Sequence, residues 1–119
     1  MFNQLGVIGC GRIGRMHASI LAREIPGFVL VAVADVVPAA AESVAAATGA
    51  QVRSIDEIFT SDDIDTVAIC TSTDTHVDMI ERAAAAGKAI FCEKPVSLNL
   101  ALVNQALPAV EQAGVPFMI

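Results

Sequence analysis

The first chemical signal lies in the backbone. In GVIGCGRIG, residues 6–14, Gly9, Gly11 and Gly14 keep a Gly-x-Gly-x-x-Gly spacing between an apolar run and a helical pattern. The first glycine allows a tight turn, the second lets a pyrophosphate approach the main chain, and the third lets helix pack on strand. A diphosphate held this way lies at a helix N-terminus, where free N–H groups and the helix dipole favour negative charge. Arg12 and Ile13 stand between the last two glycines. The spacing alone is weak evidence, but an acid follows at the required distance. Asp35 closes the apolar run VLVAVAD, 21 residues beyond Gly14. A carboxylate there accepts both hydroxyls of an adenosine ribose and repels a 2′-phosphate. Val36 and Val37 follow with no arginine to hold that phosphate, so NAD is expected over NADP. The ordinary alternative is an Asp at a strand end that caps the next helix. The loop lacks the Gly-Lys-Ser/Thr of a P-loop. Ile8 stands where methyltransferases that bind S-adenosylmethionine usually carry an acid.

Two further stretches end on polar groups. VAICTSTDTH, residues 67–76, brings Thr71, Thr73 and His76 to the end of an apolar run, and IFCEKP, residues 90–95, ends on Glu93, Lys94 and Pro95. Small hydroxyls and N–H groups at the first suit the ribose on the nicotinamide side of a dinucleotide. Thr73 or Asp74 can equally cap the helix containing His76, and one loop can do both. Glu93 and Lys94 alone read most simply as a solvated rim ion pair, worth under about 1 kcal/mol. A lone helical histidine such as His17 is more often a packing or surface residue than a catalyst.

These residues need a scaffold that brings three strand ends to one edge. Short apolar runs alternate with helical stretches, the pattern of a parallel sheet with crossover helices. Strands are expected at Leu5–Ile8, Val29–Ala34, Gln51–Arg53, Thr66–Cys70, Ala89–Cys92 and Pro116–Ile119. Ile13, Met16, Ile20 and Leu21 recur at helical spacing, with Pro26-Gly27 as the stop. Helices are also expected from Pro38 to before Gly49, behind a Ser54/Glu57 capping box, from Thr75 to Ala86, and from Leu98 to Ala113. Pro108 inside the last costs about 3 kcal/mol or kinks it. The fold class is α/β, a doubly wound, mostly parallel Rossmann sheet, with residues 1–119 as one dinucleotide-binding domain.

Composition narrows the class. The chain has 119 residues and a formal charge of −6, with 7 Lys plus Arg, too few for the basic stripe a nucleic-acid binder needs. Apolar residues make up 55%, which a sheet covered on both faces explains, and no run approaches the roughly 18–20 residues of a membrane span. Cys10, Cys70 and Cys92 form no CxxC pair, and an odd count suits a reducing compartment. Plain buried thiols and no metal site are expected. With no signal-peptide pattern at the N-terminus, the expected location is cytoplasmic.

Together, GVIGCGRIGRMHA, AVADVVPAAAE, AICTSTDTH and AIFCEKPVSL resemble the N-terminal domain of the glucose–fructose oxidoreductase and inositol dehydrogenase (Gfo/Idh/MocA) family, with the bacterial inositol-oxidising branch nearest. The likeness covers the whole chain, and the Glu-Lys-Pro tripeptide is its most specific part. The family's usual Thr-Pro after the fourth strand is Thr71-Ser72 here. The resemblance implies NAD-linked oxidation of a cyclic polyol or sugar to its ketone. Gly9, Gly11, Arg12, Ile13 and Gly14 would then hold the diphosphate, Asp35 the adenosine ribose, and Thr71, Thr73 and His76 the nicotinamide side. It also implies that Lys94 faces substrate hydroxyl and nicotinamide, that Glu93 positions the segment, and that the peptide before Pro95 is often cis. The family's acid–base Asp and His, and most oligomer contacts, come from a second α/β domain that these residues do not supply; homo-oligomers are implied for full-length relatives. A stand-alone dinucleotide-binding or sensing module is the alternative.

Overall fold

The computed structural model describes residues 2–119. Six parallel strands, β1 (Gln4–Ile8), β2 (Val29–Ala34), β3 (Gln51–Val52), β4 (Thr66–Ile69), β5 (Ala89–Cys92) and β6 (Phe117–Met118), form one sheet in the order 3-2-1-4-5-6. The helices are α1 (Arg12–Arg23), α2 (Pro38–Thr48), α3 (Ile55–Thr60), α4 (His76–Ala85) and α5 (Leu100–Ala113). This is the doubly wound order, with the connections reversing direction between neighbouring β1 and β4. Strand side chains alternate between two cores. Val7, Val33 and Ala68 pack under α1 and α2, while Ile8, Ala34 and Ile69 pack under α3, α4 and α5. Because both faces are buried, the central strands read as unbroken apolar runs.

Local signals set most boundaries. Pro38 opens α2 and Gly49, with φ +82, closes it. Ser54 and Glu57 form the expected capping box, each side chain 3.0 Å from the other's backbone nitrogen. Two expectations need correction. α5 begins at Leu100, not Leu98, because the Asn99 side chain accepts from Ala101 N at 2.9 Å and caps it there. Pro108 lies inside α5, as expected; it and Asn104 are exposed, so water can take the carbonyl whose helix partner proline removes. Neither Thr73 nor Asp74 caps α4 through its side chain; a 3₁₀ turn, Thr73–Thr75, leads into the helix.

An apolar groove of about 590 Å³ lies between α1 and the β4–β6 face, lined by Leu21, Phe28, Phe91 and Phe117 among others. His17 and Thr66 are the polar side chains in its lining. No helix among the described residues is long and apolar enough to cross a membrane.

Candidate functional site

A cleft of about 320 Å³ opens beyond the carboxyl ends of β1, β2 and β4, lined by Gly9, Gly11, Asp35, Thr71 and Thr75, with Val36, Ile55 and Met79 as apolar walls. It lies at the reversal point of the sheet, where open α/β folds bind ligands. Gly9 has φ +100, and a Cβ there would lie 2.5 Å from the Cys70 carbonyl oxygen. Gly14 is tighter: its Cβ would sit 1.7 Å from the carbonyl oxygen of Gly9. These two glycines let β1, the loop and α1 close together. Gly11 differs, since a Cβ on it would meet nothing within 4 Å. Packing therefore does not require glycine at that position. A ligand that approached the main chain there would.

Gly11 is also the N-cap of α1, with no side-chain cap and no acid in the first turn. The first N–H groups of a helix lack intrahelical acceptors, so the amides beginning with exposed Arg12 and half-buried Ile13 can receive an anion. Asp35 ties the loop to β2. Its Oδ2 accepts from Cys10 N at 2.7 Å and its Oδ1 from Val37 N at 2.8 Å. Each carboxylate oxygen has two lone pairs, so both retain capacity for a ribose hydroxyl. The capping alternative is not realised: Val37 is the N-cap of α2, and no side chain caps that helix. Free space at Gly11, unfilled amides on α1 and a half-buried carboxylate together fit a dinucleotide.

Across the cleft, Thr75 Oγ1 donates to the Ser72 carbonyl oxygen at 2.7 Å and is 2.6 Å from Thr71 Oγ1, whose hydroxyl can donate to it. Thr73 is half-buried on the 3₁₀ turn. His76 lies elsewhere than expected for a cofactor contact. Its ring is 1% exposed, with Nδ1 2.7 Å from the Pro95 carbonyl oxygen and Nε2 3.1 Å from that of Thr71. The Lys94–Pro95 peptide is cis, and Lys94 is exposed. The rim ion pair is also corrected. Lys94 enters no ion pair among the described residues, while Glu93 Oε2 is 2.9 Å from Nε2 of His17 on α1. Sequence reading passed over that contact, because a helical histidine 76 positions from its partner leaves no local signal.

Cys10 and Cys92 are buried and Cys70 half-buried, all without disulfides. Burial pushes the Cys10 thiol up to about 11, with Asp35 adding to the effect. Burial also pushes Cys70 and Cys92 up to about 12, with Glu93 adding at both. The thiolate is the reactive form, so at pH 8 alkylation by iodoacetamide should run about a hundredfold slower in the folded chain than in denaturant. Equal rates in the two states, followed by mass spectrometry, would contradict this packing.

The strand order and the glycine turn define a Rossmann-type α/β domain. A family model described as "Oxidoreductase family, NAD-binding Rossmann fold" (GFO_IDH_MocA) matches residues 4–119, and the chain belongs to that family. It is 50% identical over 116 residues to an inositol 2-dehydrogenase of Rhizobium meliloti (strain 1021), covering 98% of this chain and 35% of that protein. It is 43% identical over 111 residues to the scyllo-inositol 2-dehydrogenase (NAD(+)) of Bacillus subtilis (strain 168), covering 92% of this chain and 32% of that one. The scyllo-inositol dehydrogenase of Lactobacillus casei, solved with bound NAD(H) and scyllo-inositol, superposes with a TM-score of 0.92 at 30% identity, over 99% of this chain and 36% of its own. The chain thus spans about a third of the length of these relatives.

Proposed function

We propose that residues 1–119 form the dinucleotide-binding domain of an NAD-dependent dehydrogenase that oxidises a secondary alcohol of a cyclic polyol or sugar, inositol or a near analogue, to the ketone. The observation that carries the cofactor half is Gly11, where open space and the uncapped start of α1 coincide. In this reading Gly9, Gly11 and Gly14 shape the cradle, and the amides at Arg12 and Ile13 hold the diphosphate. Asp35 receives the adenosine ribose and disfavours a 2′-phosphate. Thr71 and Thr73 border the nicotinamide side with Glu93, Lys94 and Pro95. The bound cofactor supplies a hydride acceptor at nicotinamide C4. Lys94 polarises the substrate hydroxyl and stabilises the alkoxide that develops. The base that takes the hydroxyl proton is assigned to a substrate domain beyond this chain, as are the homo-oligomer contacts. The cytoplasm is the proposed setting, on the free thiols.

Calorimetry with NAD, NADP and ADP-ribose tests the cofactor reading. The chain should bind NAD more tightly than NADP. Asp35→Ser with Val36→Arg should shift the preference toward NADP by about tenfold or more, since one charge repulsion is removed and one attraction added. Asp35 also ties the loop through Cys10 N, so the double variant should lose some absolute affinity for both cofactors. Equal affinity of the unaltered chain for NAD and NADP would remove the role given to Asp35.

A further inference from the structure

We propose that His17 and His76 form a two-sided clamp that sets Lys94, gripping the residue before it and the residue after it from opposite faces of the sheet. The inference rests on the nucleotide reading above. His17 comes from α1, on one face, and its Nε2 is 2.9 Å from Glu93 Oε2. Its ring stands edge-on to Phe91, with centroids 5.2 Å apart and planes at 71°, so packing and hydrogen bond fix the same side chain. His76 starts α4, on the other face, and its Nδ1 is 2.7 Å from the carbonyl oxygen of Pro95. A neutral imidazole carries one N–H, and the shorter of the two ring contacts assigns it to Nδ1 and Pro95. The other ring nitrogen, which then carries no N–H, lies 3.1 Å from Thr71 O without a hydrogen bond to it, so the ring sits between the two loops but is tied to the Pro95 side.

The arrangement has a mechanical consequence. Lys94 is exposed and enters no ion pair among the described residues, so its own side chain does not set its position. Its backbone is held by its neighbours, one through a carboxylate and one through a carbonyl. Displacing a catalytic group by about 1 Å can cost a hundredfold in rate, which gives the clamp something to protect. Both histidines are positioning residues, since neither opens onto the cleft.

The test uses the 119-residue chain, ¹⁵N-labelled, with the variants His17→Phe and His76→Leu, which keep bulk and lose the ring nitrogens. His17→Gln and His76→Gln restore an amide donor. Heteronuclear NOE values of the Glu93, Lys94 and Val96 amides should fall in the apolar variants, while those of the central strands hold, and should partly recover in the Gln variants. The NAD to ADP-ribose affinity ratio, which isolates the nicotinamide end, should drop by about tenfold with ADP-ribose affinity unchanged, the scale of one lost buried hydrogen bond. Unchanged order at residues 93–96 with an unchanged ratio would overturn the clamp. So would equal loss of both ligands with collapse of the sheet resonances and no Gln recovery, which would make the histidines merely structural. Failure of the unaltered chain to bind ADP-ribose would instead strike the nucleotide reading, and the role of the clamp with it.

Discussion

Gly14→Ala is expected to cost this domain both stability and nucleotide binding, whereas Gly11→Ala should cost binding alone. The contrast comes from what each added methyl meets. At Gly14 a Cβ would sit 1.7 Å from the carbonyl oxygen of Gly9. A Cβ is fixed by its own backbone, so no rotation relieves its clash with a main-chain carbonyl, and α1 must move away from the β1 turn. Overpacking of this kind costs about 3 kcal/mol or more, a large share of the roughly 5–15 kcal/mol that holds a domain together. At Gly11 a Cβ has no neighbour within 4 Å and φ is −75, so the unliganded fold should stay within about 0.5 kcal/mol of the unaltered chain. The same methyl would occupy the space through which a diphosphate reaches the backbone. Affinity for NAD and for ADP-ribose should therefore both fall by about a hundredfold, near 2.7 kcal/mol. Urea melts and calorimetry on the two variants separate the cases. If Gly11→Ala binds ADP-ribose as the unaltered chain does, nothing approaches the main chain there and the glycine-loop reading fails.

The parts of this molecule legible in the sequence are those whose causes are local. Val29–Ala34 and Ala89–Cys92 are strands with the bounds their apolar runs predict, since a strand buried on both faces needs no partner to show its pattern. Gly49 and the Ser54/Glu57 box announce helix ends through their own backbone chemistry. The turn at Gly9 and the close packing at Gly14 were readable because each restricts residue type through its own backbone. What stayed hidden is pairwise and distant. Asp35 grips Cys10 N from another strand, and His17 meets Glu93 through tertiary packing alone. The side chain of His76 gave a misleading cue for a similar reason. A histidine after a Thr-rich turn suits a binding loop, but α4 rotates it inward beneath Pro95. Asn99 displaced the start of α5 by two residues because its cap outcompeted the apolar pattern that included Leu98. Lys94 was the residue least decided by local signals: only the resemblance separated a cleft lysine from a rim ion pair, and the pairing of Glu93 with His17 now leaves it free of that partner.

Lys94→Met in a protein that carries this domain together with a substrate domain should depress turnover far more than it weakens NAD. The substitution keeps a long, flexible, mainly apolar side chain and removes the charge. Because Lys94 is exposed and enters no ion pair among the described residues, losing its charge strands no buried partner, and stability should hardly change. An exposed charge contributes under about 1 kcal/mol to ground-state binding, so NAD affinity should stay within about fivefold. The transition state is another matter. Hydride leaves a carbon whose oxygen is gaining negative charge, and a positive group aimed at that oxygen acts in proportion to the charge that develops. Losing it should lower kcat by about 10²–10⁴-fold, with the pH optimum displaced upward, where the hydroxyl loses its proton more readily without help. The 119-residue chain alone should bind NAD yet yield no detectable NADH from inositol, since orientation and proton removal each contribute several orders of magnitude and both are assigned to residues beyond it. Steady NADH production by the isolated domain would show that it holds a complete site. Unchanged turnover in Lys94→Met would return this lysine to the solvated rim.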